Sequence, residues 1–346
     1  MKKLSPKLEV LLKRRQYSSL RRLLLSSGKR RRQAVRAKSK KSLLIKPVGI
    51  SAPDIFEISS QSQRIKLISF VSRIAEYLSR NRRVRLNFDE TKTLKPCGTL
   101  YFIAAIEDFL HLFPGKISAK YPIDDVVEQL FQHVGILECF GLSKRKVVTA
   151  DNVVNWHFAK GSDATTDAFK SLLKAHEKAL GGEIIRSELY ACLSEAVTNT
   201  RTHAYPNRAD GVNNWWMFSQ AMDNKLTVAI CDLGIGITKS LLSKPELSDY
   251  LRRAYRILSK RQIHKDLIKV AVSSDRTQTG LAYRGKGLPQ MLDLIKGGSE
   301  GGFRVQSSYG LYQYDAATKS DQLMTLEEKI RGTLIQWTLP LNVLEG

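Results

Sequence analysis

Four short segments of this 346-residue chain carry residue types that could hold a charged ligand. Glu195, Asn199 and His203 recur at i, i+4 and i+8, which stacks their side chains along one line of a helix. In Cys231-Asp232-Leu233-Gly234-Ile235-Gly236 a carboxylate closes an apolar run and two glycines follow. That order suits a buried acceptor beside backbone that a ligand approaches closely. Thr279-Gly-Leu-Ala-Tyr-Arg-Gly-Lys-Gly-Leu288 is a glycine-rich stretch opening into a helical pattern. Its backbone amides, the helix N-terminus behind them and the charge of Lys286 would make a phosphate-binding surface. Gly332-Thr333 begins an alternating strand with a small, hydroxyl-bearing pair. Taken singly, an exposed polar helix face would explain the first segment, and an ordinary strand-to-helix turn the second. The third has neither Gly-x4-Gly-Lys-Ser/Thr nor the Gly-x-Gly-x-x-Gly of a first βα turn, so neither a Walker-type loop nor a dinucleotide fold is indicated.

These residues need elements to position them. Apolar Leu189, Leu193, Ala196 and Val197 form one stripe of a helix over 184–203. Residues 215–220 and 225–230 read as two strands joined across Asp223-Asn224, 288–295 as a helix and 332–340 as a strand. Upstream, 153–158 reads as a strand and 167–180 as a helix ended by Gly181-Gly182. Before that comes an alternation of helix 65–78, strand 83–88, loop 89–96, helix 98–113 and strand 116–121. A further helix begins at 122–125 with Asp124 or Asp125 near its N-terminus. Strands alternating with helices predict a small α/β layer domain over 48–145.

Composition sets the frame. An apolar fraction of 42% excludes wholesale disorder, and the length suits about two domains. Cys97, Cys139, Cys192 and Cys231 form no CxxC pair, which argues against a zinc site and a disulfide-stapled fold. The most apolar stretch, 99–113, is interrupted by Glu107, Asp108 and His111, so no membrane span is expected and a cytoplasmic location is. The net charge of +23 is concentrated: residues 1–47 hold 17 Lys and Arg against one acid, Glu9. This arm reads as flexible, with leucines at helical spacing around Leu8–Leu12 and Leu20–Leu24 that could form helices against a partner. It would attract polyanions without sequence preference, whether nucleic acid, an acidic membrane surface or an acidic protein, or it is a solvated tail.

In this order the four segments resemble the ATP site of the GHKL (histidine-kinase-like ATPase) superfamily, over about 150–346. Leu193-Ser-Glu-Ala-Val-Thr-Asn-Thr-Arg-Thr-His-Ala-Tyr205 is most similar to the anti-sigma-factor kinase branch. The resemblance implies a two-layer α/β sandwich of Bergerat type, with ATP and Mg²⁺ as ligands. Asn199 would coordinate Mg²⁺, Glu195 would orient or deprotonate the attacking group, and His203 would lie near the phosphates. Asp232 would accept from the adenine amino group with Thr333 assisting through water, and Gly234 and Gly236 would leave room for base and ribose. Arg284, Gly285, Lys286, Gly287 and Leu288 would embrace the β/γ-phosphates, under a lid at about 243–284.

Residues 48–145 resemble the STAS domain of anti-anti-sigma factors, on Leu86-Asn-Phe-Asp-Glu-Thr and the helix beginning near Gly98. In regulated STAS proteins a serine at the start of that helix is phosphorylated; Cys97 stands near that position and is no substrate for such control. The implied function is a regulatory or signalling ATPase whose lid closure controls contacts with a protein partner. A protein serine/threonine kinase and a nucleic-acid-binding protein switched by ATP are the alternatives, and an ATP-dependent homodimer stays open. A sensor histidine kinase is not expected: His176-Glu177 lies 23 residues before Asn199, too close for an intervening dimerisation helix pair.

Overall fold

The computed structural model describes residues 46–162, 183–206, 214–243, 261, 263–273 and 287–340. The first 45 residues of the basic arm, the helix expected at 167–180, the Gly181-Gly182 stop, His176, and Arg284, Gly285 and Lys286 lie outside them. The chain is mixed α/β, and its described residues form two parallel sheets and one antiparallel sheet.

The N-terminal unit begins with β1 (Val48–Ser51), β2 (Ile55–Phe56) and α1 (Gln61–Ser79), then β3 (Val84–Asn87) and β4 (Thr93–Leu94). It continues through α2 (Pro96–Leu112), β5 (Ile117–Ala119), α3 (Asp125–His133) and a short α4 (Ile136–Cys139). Strands β1, β3 and β5 form a parallel sheet in that order, and β2 pairs with β4 in parallel. The stretch 89–96, expected as loop throughout, therefore contains a two-residue strand. Local chemistry explains several boundaries. Pro96 opens α2 at a position where a missing N–H costs nothing. The Asp124 carboxylate caps α3, accepting from the amides of Val126 and Val127, both at 3.1 Å. Phe56, Phe88, Phe102 and Phe131 interlock in the core, with ring centroids 5.0 to 6.4 Å apart.

The second unit starts with a helical turn, α5 (Asp151–Val154), where a strand was expected; the strand β6 (Trp156–Gly161) follows it. Val153 is buried in the turn, which is why its apolar character resembled a strand start. After α6 (Glu183–Asn199) and a π-helical turn (Thr200–Ala204) come β7 (Trp215–Met222) and β8 (Lys225–Asp232). Asp223 and Asn224 both have positive φ, 53° and 56°, as a tight hairpin between right-twisted strands requires. The remaining elements are α7 (Gly236–Leu242), α8 (Ile263–Val272), α9 (Gly287–Lys296), β9 (Gly302–Asp315) and β10 (Ser320–Pro340). The five strands form one antiparallel sheet in the order β6-β7-β8-β10-β9. The expected strand at 332–340 is the second half of the long β10, and β9 is its hairpin partner.

This sheet is buried on both faces. Alternate residues Trp215, Met217, Val228, Ile230, Ile335 and Trp337 face a core completed by α6, α8 and α9. The interleaved Trp216, Phe218, Ala229, Cys231 and Leu334 join the core of the N-terminal unit. A sheet covered on both sides reads as continuous apolar runs, which explains the poor alternation of Trp-Trp-Met-Phe at 215–218. Helix α2 lies against the second face. Its Glu107 accepts from Trp216 Nε1 and Lys160 Nζ, both at 2.9 Å, and its Asp108 pairs with Arg331 at 2.5 Å. The two acids that interrupt the apolar stretch 99–113 are thus its polar anchors to the sheet. Among the described residues, no helix is long and apolar enough to cross a membrane.

Candidate functional site

Two ends of a site are joined by α6. At its first end, Glu195 and Asn199 sit one helical turn apart, both half-buried. The N-terminus of α9 packs directly on them. A Cβ on Gly287 would lie 2.0 Å from Glu195 Cγ and 2.7 Å from Asn199 Nδ2. Only a residue without a side chain lets that helix start come so near. As the first residue of α9, Gly287 belongs to the turn whose amides have no partner within the helix and carry its positive dipole end. The partly buried side chain of Leu288 packs against the core under the sheet.

The helix then passes through its π-helical turn to the second end. Five residues, about 7 Å of axial rise, separate Asn199 from Ala204. The carbonyl of Ala204 accepts from the amide of Ile235 at 2.8 Å. Gly234 is pressed so close to Ala204 that a Cβ there would lie 2.2 Å from the Ala204 oxygen. The hydroxyl of Tyr205 accepts from Leu233 N at 2.9 Å and donates to Asn214 O at 2.8 Å. The Glu195-Asn199 helix and the loop following Asp232 are therefore one hydrogen-bonded assembly. His203 lies on the π-helical turn, partly exposed.

Asp232 ends β8 in the middle of the sheet, opposite Trp215 on one side and Thr333 on the other. Its Oδ1 accepts from Gly234 N at 2.8 Å. Burial pushes the carboxyl up from its ordinary 3.8 to about 6, while hydrogen bonds from Gly234 and Thr333 and the charge of Arg331 pull it back down. Gly236, with φ 77°, turns the chain into α7.

Behind this loop β10 bulges. Its pairing with β9 slips between Thr325 and Ile330 and again between Ile330 and Thr333, where Arg331 and Gly332 are extra. Gly332, at φ 75°, approaches so closely that a Cβ would sit 1.9 Å from the Asp232 carbonyl oxygen. Ser307 ties the parts together: its hydroxyl donates to Gly332 O at 2.9 Å and accepts from Ile237 N at 3.0 Å. Arg331 donates to Leu233 O at 3.0 Å.

Of the twelve residues singled out, the structure gathers Asp232, Gly234, Gly236 and Thr333 at one end and Glu195, Asn199 and Gly287 at the other. Ser307, Arg331 and Tyr205 were not singled out. Serine in a strand and arginine before glycine carry no local signal, since their roles depend on a bulge formed between distant strands. Part of the expected lid, α8, is a packed helix with Ile263, Leu267, Ile268 and Val272 buried and Thr238 Oγ1 2.8 Å from His264 Nδ1; 244–260, 262 and 274–284 lie outside the described residues. Cys97 is buried, 2.8 Å from Gln336 Oε1, and burial pushes its thiol up to about 12.

Among the described residues, no group of three or more His, Cys, Asp and Glu could hold a metal. One carboxamide and one carboxylate facing a helix N-terminus instead suit a hard cation that keeps waters and shares phosphate oxygens, as Mg²⁺ does. No protein-family model matches the chain, and no curated protein sequence matches it.

Proposed function

We propose that the chain is a regulatory or signalling ATPase that binds ATP with Mg²⁺, in a Bergerat-type second unit docked to a STAS-like first unit. One observation carries this reading. A single helix presents Glu195 and Asn199 to the N-terminus of α9 and, through Ala204, grips the loop that follows a buried carboxylate at a strand end. An amide-lined positive end near a carboxamide suits phosphates and their cation. A buried carboxylate in a tight glycine loop suits a base amino donor.

The protein's own groups then divide the work. Asp232 accepts from the base, and its hydrogen bonds from Gly234 and Thr333 hold the carboxylate in one orientation. The start of α9 faces the phosphates, and Asn199 Oδ1 would hold Mg²⁺. That ion, when bound, neutralises phosphate charge. Glu195 orients the attacking water and takes its proton. The test is titration of the full chain with ATP, with and without Mg²⁺, followed by release of free phosphate. Saturable binding strengthened by Mg²⁺, with slow phosphate release, is expected. Transfer of phosphoryl groups to protein hydroxyls in place of release would make the chain a protein kinase. Absence of saturable binding would refute the reading.

A further inference from the structure

The bulge in β10 touches two parts of the molecule at once, the Asp232-Leu233 segment and the N-terminal unit. Gly332 abuts the backbone of Asp232, whereas Arg331 reaches the N-terminal unit. Arg331 makes three contacts. Its Nε donates to the carbonyl of Leu233, the residue after Asp232, at 3.0 Å. Its Nη1 pairs with Asp108 Oδ2 at 2.5 Å. Its backbone N–H points at the Tyr101 hydroxyl, 3.4 Å away. Tyr101 and Asp108 are seven residues apart and share a face of α2, and both are buried. One face of α2 therefore holds the arginine that holds the Asp232 loop.

We propose that Arg331 is a positioning residue through which docking of α2 on the sheet sets the purine end of the nucleotide site. This rests on the nucleotide reading above. With α2 docked, the Asp108 carboxylate orients the guanidinium so that Nε meets Leu233 O, a charge-assisted contact stronger than a neutral one. The guanidinium is partly exposed, its side chain 43% accessible against 5% for Asp108. Without Asp108 it has room to turn to water and release the loop. The charge of Arg331 also favours the ionised form of Asp232, the form that accepts from a base amino group. Coupling is reciprocal: whatever docking adds to purine affinity, purine binding adds to docking.

The test uses the full chain and two probes, adenosine and Mg²⁺ with inorganic triphosphate. Asp108→Asn is expected to weaken adenosine and ATP about tenfold and to leave triphosphate within about twofold. Asp108→Glu should recover part of the loss. A merely structural ion pair would weaken both probes alike, and that result, or wild-type affinity for both, would overturn the proposal. Should Asp108→Asn not fold, hydrogen exchange on the wild-type chain decides. Adenosine is expected to slow amide exchange in α2, and unchanged exchange at saturating adenosine would overturn it. A wild-type chain that binds neither probe would instead refute the nucleotide reading itself.

Discussion

The two ends of the site are built from different material. The Asp232 end is made of strands in the centre of a sheet, with its loop fixed by Ala204, Tyr205, Ser307 and Arg331 through hydrogen bonds of 2.8 to 3.0 Å. The Asn199 end is made of half-buried helix side chains facing a helix start. A central strand end holds one acceptor in one place, which suits recognition of a flat, rigid base. A helix N-terminus offers several amides and a diffuse positive field, which suits a flexible polyphosphate. Under the proposed nucleotide reading, selectivity would reside in the sheet, and chemistry where α6 and α9 meet.

Mutations should separate the two ends. The largest effect is expected from Glu195→Gln, which should spare ATP affinity and lower turnover by about 10²–10⁴-fold, measured as single-turnover phosphate release. Undiminished turnover would remove Glu195 as the base. Next is Gly332→Ala, which meets both a positive φ and the Asp232 carbonyl. It should cost about 3–4 kcal/mol in urea unfolding. Gly49→Ala, with open space around its Cβ, should stay within about 0.5 kcal/mol.

Asp232 has a pH signature. Its folded pKa of about 6 lies above the ordinary 3.8, so the folded state holds the proton more tightly than the unfolded chain. The stability this group contributes is present below about pH 4 and is lost as pH rises through about 6. Asp232→Asn should therefore stabilise the empty protein at pH 7 by about 1–3 kcal/mol, a gain that vanishes towards pH 4. Adenosine affinity of the wild type should run the other way, falling on acidification through the same window. A pH-independent affinity would contradict the acceptor role. A smaller loss is expected at Asp124→Ala, about 1 kcal/mol from a lost N-cap with nucleotide affinity unchanged.

Much of this was legible in the sequence because it was local. The helix stripe through Leu189 and Leu193, the Asp223-Asn224 turn, the Asp124 cap and the glycines around Asp232 each announce themselves within a few residues. Two kinds of feature did not. The β10 bulge is a slip in its pairing with β9, just before the stretch that also pairs with β8, so Arg331 and Ser307 gain their roles from residues far away. The docking of α2 on the sheet was hidden for a related reason. Glu107 and Asp108 looked like interruptions of an apolar run, and only Trp216, Lys160 and Arg331 across the interface give them a purpose.

The central claim, that Asn199 and Asp232 hold opposite ends of one molecule, is tested most directly by binding ATP in fragments. Calorimetry on the full chain should show that Asp232→Asn loses adenosine but keeps triphosphate with Mg²⁺. Asn199→Ala should lose Mg²⁺-triphosphate but keep adenosine, and each variant should lose ATP. If each variant weakened both fragments alike, or if ATP bound both as it binds the wild type, the two residues would not share a ligand.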